Sequence, residues 1–252
     1  MKQNDQLSIP LISFVALLLI LYFIFRSVFL FSYHYDTLER ILATIYLISE
    51  SFLIFHGVGY FGTLLFVKKE SKYQKKVAEL TDFPSVAILV PSRHEPKEML
   101  EETYHSLKQL DYPNKHIYFL DDSSEEKYLK EAEEICEKYH VKLFRRKERH
   151  GAKAGIINDC LKNLREKYVV VFDADQKPLQ DFLKKLIPYL EGYPKLAFVQ
   201  TPQFYSNLKA SRITQAANMQ QAVFYEYICE GKSNSHSMIC CGTNVIFRRQ
   251  AL

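Results

Sequence analysis

From Leu11 to Phe31 the chain runs for 21 residues with one charge, Arg26. At about 1.5 Å per residue such a helix is roughly 30 Å long, the thickness of a hydrocarbon core, so the segment can cross a bilayer. A cleaved signal peptide fits less well: the apolar run is long, the start MKQND is barely basic, and no A-x-A-like site follows. Ile41 to Val67 is a second candidate span, carrying Glu50, His56 and the glycines Gly57, Gly59 and Gly62. Ionisable groups at membrane depth need partners, and Glu50 and His56 are expected to face the other helix or a protein partner. The connection at 32–40 is short, and a lysine-rich segment follows the second span directly. Lysines in such a position mark the cytoplasmic side, which predicts a multi-pass protein of the cell (inner) membrane with both termini and the remaining domain in the cytosol.

The charge of the chain has a location. Residues 1–67 hold three Lys/Arg against four Asp/Glu, Lys68–Lys76 hold five Lys against one Glu, and the rest is nearly balanced at 25 against 24. The net +4 is therefore one juxtamembrane cluster and gives no argument for nucleic acid. Five cysteines form no C-x-x-C pair and no His-spaced set, so neither a zinc site nor a disulfide framework is expected and a reducing compartment fits. The mean hydropathy of −0.16 averages two chemistries: an apolar N-terminal part and, from Lys68 onward, a chain dense in Lys and Glu.

From Pro84 short β-branched or aromatic runs (85–90, 116–120, 141–144, 168–172, 196–200, 244–247) alternate with amphipathic stretches (98–110, 125–139, 152–164, 180–190, 212–229). This β-α alternation predicts an α/β fold with a mostly parallel sheet and a ligand site at the carboxyl ends of the strands. Those ends carry Ser92-Arg93-His94-Glu95, then Asp121-Asp122-Ser123-Ser124, then Asp173-Ala174-Asp175. One acidic residue after a strand is ordinary turn or cap chemistry, whereas acidic residues at three strand ends point to a site.

If the chain stays extended past the fourth strand, Asp173 and Asp175 project from one face with side-chain origins about 7 Å apart, so that both can share a divalent cation. Hard Mg²⁺ takes one or two carboxylates and completes its shell with phosphates and water, which makes a metal-bound diphosphate the expected ligand. His150-Gly151-Ala152-Lys153-Ala154-Gly155 supplies small residues, a cation and free N–H groups at a helix start, where a phosphate can sit. No G-x-x-x-x-G-K-[ST] and no G-x-G-x-x-G occurs, which disfavours ATPase and dinucleotide readings. An aspartyl-phosphate phosphatase also places D-x-D after an apolar strand. It needs Thr or Val where this chain has Lys177, and it uses the first strand rather than the fourth.

The ordered set VAILVPSRHEP, LDYPNKHIYFLDDSS, HGAKAGIIN, VVVFDADQKP, FVQTPQFYSN and CCGTNVIFRRQAL resembles the family-2 glycosyltransferases of the membrane-embedded, processive kind, similar to bacterial cellulose synthase catalytic subunits. The resemblance runs from about Val86 to Leu252. It implies a GT-A (Rossmann-like) nucleotide-sugar-binding fold after two transmembrane helices, a UDP-sugar donor, and Mg²⁺ or Mn²⁺. By the same resemblance Ser92 and Glu95 lie in the first nucleotide-binding loop, Asp121 with Asp122 beside it holds the uracil or ribose, and Lys153 meets the diphosphate. Asp173 and Asp175 bind its metal, and Thr201, Gln203, Cys241, Gly242 and Thr243 line the acceptor side. Expected partners are the donor, a glycan or lipid-linked acceptor, membrane lipid and an accessory subunit.

Two departures matter. Ser92-Arg93-His94 replaces the Thr-Tyr-Asn usual in that first loop. The family's general base, the Asp of a T-E-D motif, and its Q-x-x-R-W motif lie downstream of the last strand, whereas this sequence has no Asp or Glu after Glu230 and no Trp. The expected organisation is a membrane hairpin at 1–67, a basic linker at 68–83 and a GT-A domain at 84–252 lacking its C-terminal part. Such a chain is expected to bind donor weakly without turnover, and two spans cannot enclose a polymer channel. A non-catalytic membrane-anchored nucleotide-binding module and a non-processive lipid-phosphate sugar transferase are the alternatives. The stretch Gln220–Tyr225 reads equally as an acceptor or membrane-interface surface and as a core helix.

Overall fold

The computed structural model describes residues 5–64, 77, 80 and 82–252; the lysine cluster at 68–76 lies outside the described residues. The described chain forms two compact units, one from the N-terminal segment together with residues 206–239, the other from the segment up to Tyr205 together with Cys240–Leu252.

The first unit begins with α1 (Asp5–Ser32) and α2 (Thr37–Leu64). Both contain stretches long and apolar enough to cross a membrane, Pro10–Ser32 and Thr37–Tyr60, and these stretches are almost wholly exposed, unlike core helices of a soluble protein. The turn between the helices is shorter than the predicted 32–40 because Asp36 starts α2 with a reciprocal cap. Its carboxylate accepts from Glu39 N at 2.8 Å, while Asp36 N donates to the Glu39 carboxylate at 3.1 Å. Across the hairpin Glu50 accepts from Tyr22 Oη at 2.5 Å and Arg26 Nε at 3.3 Å, so the one charge of the first span is neutralised by the second. His56 instead bonds back to the Phe52 carbonyl of its own helix at 3.1 Å.

The rest of this unit is α7 (Arg212–Val223), a π-helical turn (Phe224–Cys229) and the short α8 (Glu230–Asn234). The single helix expected over 212–229 is thus broken in register at Phe224. Ser211 caps α7 by accepting from Thr214 N at 3.0 Å, and none of the helix is fully buried; within Gln220–Tyr225, Gln221, Ala222, Phe224 and Tyr225 are half-buried.

The second unit is built on six strands, β1 (Val86–Ser92), β2 (Lys115–Asp121), β3 (Lys142–Phe144), β4 (Tyr168–Val171), β5 (Phe198–Gln200) and β6 (Val245–Arg248), in the order β3-β2-β1-β4-β6-β5. Strands β1 to β4 are parallel; β6 runs antiparallel to both β4 and β5. The continuous apolar run Val86–Val90 is fully buried because the sheet is covered on both faces. Val86, Ile88 and Val90 face one core with α3 (Lys97–Lys108), α4 (Glu126–Tyr139) and α6 (Phe182–Gly192), whereas Ala87 and Leu89 face a smaller one with α5 (Ala152–Leu161). Helix α3 earns its place by spacing: Leu100, Thr103, Tyr104 and Leu107 form one buried stripe. Left-handed His140 (φ 49°) ends α4, with Val141 N closing back on the Cys136 carbonyl at 3.1 Å.

The chain leaves β1 toward β2 on one side and returns through α5 to β4 on the other, so the crevice between β1 and β4 is the topological switch point. The ends of β1, β2 and β4 share one edge, and the antiparallel β6 brings its leading segment, 240–244, to the same edge.

Candidate nucleotide-diphosphate site

A cleft of about 370 Å³ opens at that edge, lined among others by Ser92, Arg93, Glu95, Asp122, Arg149, Lys153, Asp173 and Asp175. Six sequence-predicted residues therefore meet there: Ser92, Glu95, Asp122, Lys153, Asp173 and Asp175. Asp121 does not line it. Its buried carboxylate accepts from Ser123 N at 3.0 Å and from Arg145 Nε at 2.8 Å, so it is built into the wall behind the cleft.

Arg145 and Arg146 have no counterpart in the sequence reading, yet they organise this wall. Leu120 pairs with Phe144 across β2 and β3, and the next residues continue that register: Arg145 meets Asp121, and Arg146 meets Asp122. Arg146 grips Asp122 with two nitrogens, at 2.8 and 2.7 Å, and also donates to the His150 and Ala152 carbonyls. Arg149 adds a third bond to Asp122 at 3.1 Å. Burial opposes ionisation of the Asp122 carboxyl, but the hydrogen bonds and charges of Arg146 and Arg149 outweigh it and hold the group below the ordinary carboxylate value.

The segment before α5 is folded tightly by its glycines. Gly151 (φ 59°) and Ala152 (φ 45°) are successive left-handed residues, and Gly155 N closes the first turn on Gly151 O at 2.8 Å. A Cβ on Gly155 would lie 1.9 Å from the His150 carbonyl oxygen. This packing delivers Lys153 to the cleft, where its ammonium contacts the Asp173 carboxylate and donates to Gly242 O at 2.9 Å.

The acidic pair is not extended. Strand β4 ends at Val171, and Gln176 N donates to Asp173 O at 3.1 Å, which places Asp173 and Asp175 at the first and third positions of a turn. The in-line spacing expected from a strand does not apply; the turn presents both carboxylates to the same cleft instead. Two clamps hold it. Asp173 N donates to the Oγ1 of buried Thr243 at 2.8 Å, and the wholly buried Thr103 donates to Ala174 O at 2.7 Å. Thr103→Val is isosteric and leaves that carbonyl without a donor, so it is expected to cost about 1–2 kcal/mol, read as a lowered midpoint in a thermal melt followed by circular dichroism.

Of the residues expected on the acceptor side, Thr201, Gln203, Cys241, Gly242 and Thr243, none lines the cleft itself. Gln200, which the sequence reading passed over, ties their segments together. Its side chain donates to Thr243 O at 2.8 Å and accepts from Cys241 N at 3.0 Å, while Thr201 N donates to Asn244 O at 3.0 Å. Gln203 is half-buried beyond this knot. His94 (φ 57°) anchors the departing first loop by accepting from Ser124 N at 3.0 Å and stacking on Tyr128, leaving Arg93 exposed in the cleft. None of the five cysteines is in a disulfide among the described residues, and burial pushes the Cys136 and Cys160 thiols up to about 12.

No group of three or more His, Cys, Asp or Glu suited to a metal occurs among the described residues. Asp173 and Asp175 are two hard oxygen donors on a polar cleft, which fits a cation that takes its remaining ligands from phosphate and water.

The fold agrees with the comparisons. The mannosyltransferase of Pyrobaculum calidifontis, solved in complex with GDP-Man and Mn²⁺, matches at a TM-score of 0.57 and 21% identity over 77% of this chain and 54% of that one. The UDP-forming cellulose synthase catalytic subunit of Pseudomonas fluorescens (strain SBW25) is 28% identical over 183 residues, 69% of this chain and 24% of that protein. Cellulose synthase 2 of Novacetimonas hansenii is 32% identical over 185 residues, 69% of this chain and 11% of that protein. The chain thus matches a quarter or less of the length of these curated relatives. The profile of the family described as Glycosyl transferase family 2 matches residues 87–252, and with the GT-A architecture around the cleft the chain belongs to that family.

Proposed function

We propose that this chain binds a nucleotide sugar, a UDP-sugar, together with Mg²⁺ or Mn²⁺, as the donor end of a membrane-bound glycosyltransferase that extends a glycan. The observation that carries the reading is the convergence of Ser92, Glu95, Asp122, Lys153, Asp173 and Asp175 on one cleft at the switch point of the sheet. The UDP-forming name of one relative and the GDP-Man and Mn²⁺ of the structural relative support it. The two exposed apolar helices support a membrane anchor, and the lysines at 68–76 that follow them in the sequence support a cytoplasmic α/β unit on the inner membrane.

The residues divide the work. Asp173 and Asp175 hold the cation, and the Thr243 and Thr103 clamps fix the turn that carries them. Lys153 supplies a positive charge for the diphosphate, and the Asp122–Arg146–Arg149 cluster shapes the wall on the nucleoside side. The cation, when bound, neutralises charge on the departing diphosphate and so favours transfer of the sugar to an acceptor hydroxyl. We place the acceptor beside Thr201, Gln203 and Cys241–Thr243.

Calorimetric titration of UDP with Mg²⁺ into the detergent-solubilised chain tests this. Metal-dependent binding is expected in the wild type and is expected to weaken at least tenfold, about 1.4 kcal/mol, in the Asp173→Asn, Asp175→Asn variant. A folded wild type that binds neither UDP nor GDP in the presence of metal refutes the reading.

A further inference from the structure

The ammonium of Lys153 stands where a cation on Asp173 has to arrive. It is held from two sides, by the Asp173 carboxylate and by Gly242 O at 2.9 Å, across three segments far apart in sequence. The main chain at Asp173 is fixed, because its backbone N–H donates to buried Thr243. Its neighbour Asp175 has a side-chain bond only from adjacent Gln176, at 3.2 Å, among the contacts described. The intended metal ligand is thus already charge-neutralised while its partner carboxylate stands exposed.

This arrangement resists one ligand and yields to two. A divalent ion alone must approach a monovalent cation at contact distance of the same oxygen, which Coulomb repulsion opposes. A diphosphate offers the ammonium a stronger anionic partner inside the same cleft and bridges a metal at the same time. The Lys153 and Asp173 side chains are each 41% exposed, so their pair is solvent-open, cheap to break and free to exchange.

Building on the nucleotide-sugar reading above, we propose that Lys153 is a positioning residue that closes Asp173 to divalent cations until a nucleoside diphosphate draws its ammonium away. Metal and nucleotide then bind as a coupled pair, each raising the affinity for the other by the same factor. The gain is order: free cytosolic metal does not fill the carboxylate pair before a donor is present.

The test is Mn²⁺ binding read by electron paramagnetic resonance on the full detergent-solubilised chain, with and without UDP, in the wild type and in Lys153→Met, Lys153→Arg and Asp173→Asn variants, each checked for fold by circular dichroism. Without nucleotide, Lys153→Met is expected to bind Mn²⁺ roughly fivefold more tightly than wild type, the size of an exposed ion pair removed, and Lys153→Arg to stay near wild type. UDP is expected to tighten Mn²⁺ binding in the wild type and much less in Lys153→Met. A lysine with a merely structural role does not improve metal binding on removal. Folded Lys153→Met that binds Mn²⁺ no better than wild type, while Asp173→Asn loses the ion, overturns the coupling and leaves the donor site standing. Failure of every variant to bind Mn²⁺ even with UDP overturns both.

Discussion

Gly155→Ala is expected to abolish UDP binding and to lower stability by about 3 kcal/mol or more. The added Cβ would sit 1.9 Å from the His150 carbonyl oxygen and 2.6 Å from an Arg146 guanidinium nitrogen. The first contact is with backbone and cannot be relieved by a rotamer change. The loop 150–152 has little room to retreat, since it is held by left-handed Gly151 and Ala152 and by the Gly155 N to Gly151 O bond. Displacing it moves Lys153 out of the cleft and loosens the Arg146 grip on Asp122. Gly57→Ala, where a Cβ meets nothing within 4 Å, is the neutral control. Thermal melting and UDP titration of both variants check the expectation; a Gly155→Ala chain with wild-type midpoint and affinity rejects it.

Arg146→Met is the second large effect. It leaves Asp122, only 9% exposed at its side chain, with Arg149 as its remaining ionic partner, and Arg149 is half in solvent. An acid that keeps its charge but loses its main counter-ion costs about 3 kcal/mol. Linkage gives this a pH signature. Because the folded-state pKa of Asp122 is depressed, its contribution is fully present above the unfolded value near ~3.9 and is lost as the pH falls through the folded value. Removing Arg146 takes that contribution away, so the stability gap between wild type and variant should be widest near neutrality and close in acid. Asp122→Asn alongside Arg146→Met should cost less than the sum of the two single changes. A gap that stays constant with pH would show that Arg146 acts by packing alone.

The strands were legible because burial on two faces leaves a strong mark: Val86–Val90 is apolar at every position, and Tyr168–Val171 is fully buried in the same way. The acidic strand ends were legible because a parallel sheet puts all its carboxyl ends on one edge. What could not be read was anything decided by pairing across strands. Nothing in Phe-Arg-Arg announces that β3 lies beside β2 in the register that matches Arg145 to Asp121 and Arg146 to Asp122. For the same reason Asp121 is the aspartate expected to meet the ligand, although it is sealed in the wall and Asp122 lines the cleft. Whether the chain stays extended through Asp173 and Asp175 past the fourth strand cannot be read from the apolar run, which stops at Phe172. The turn is imposed from outside, by Thr243 and Thr103.

The excursion from Tyr205 to Cys240 leaves and re-enters the α/β unit at a point that is already shut. Strands β5 and β6 pair beside it, and Gln200 locks Cys241 and Thr243 to the outgoing strand. Residues 206–239 therefore leave from and return to ends that the α/β unit itself holds together. Closing a longer loop on held ends adds only about 0.6 kcal/mol per doubling of length, so a change of length between 206 and 239 is expected to leave the turn that carries Asp173 in place.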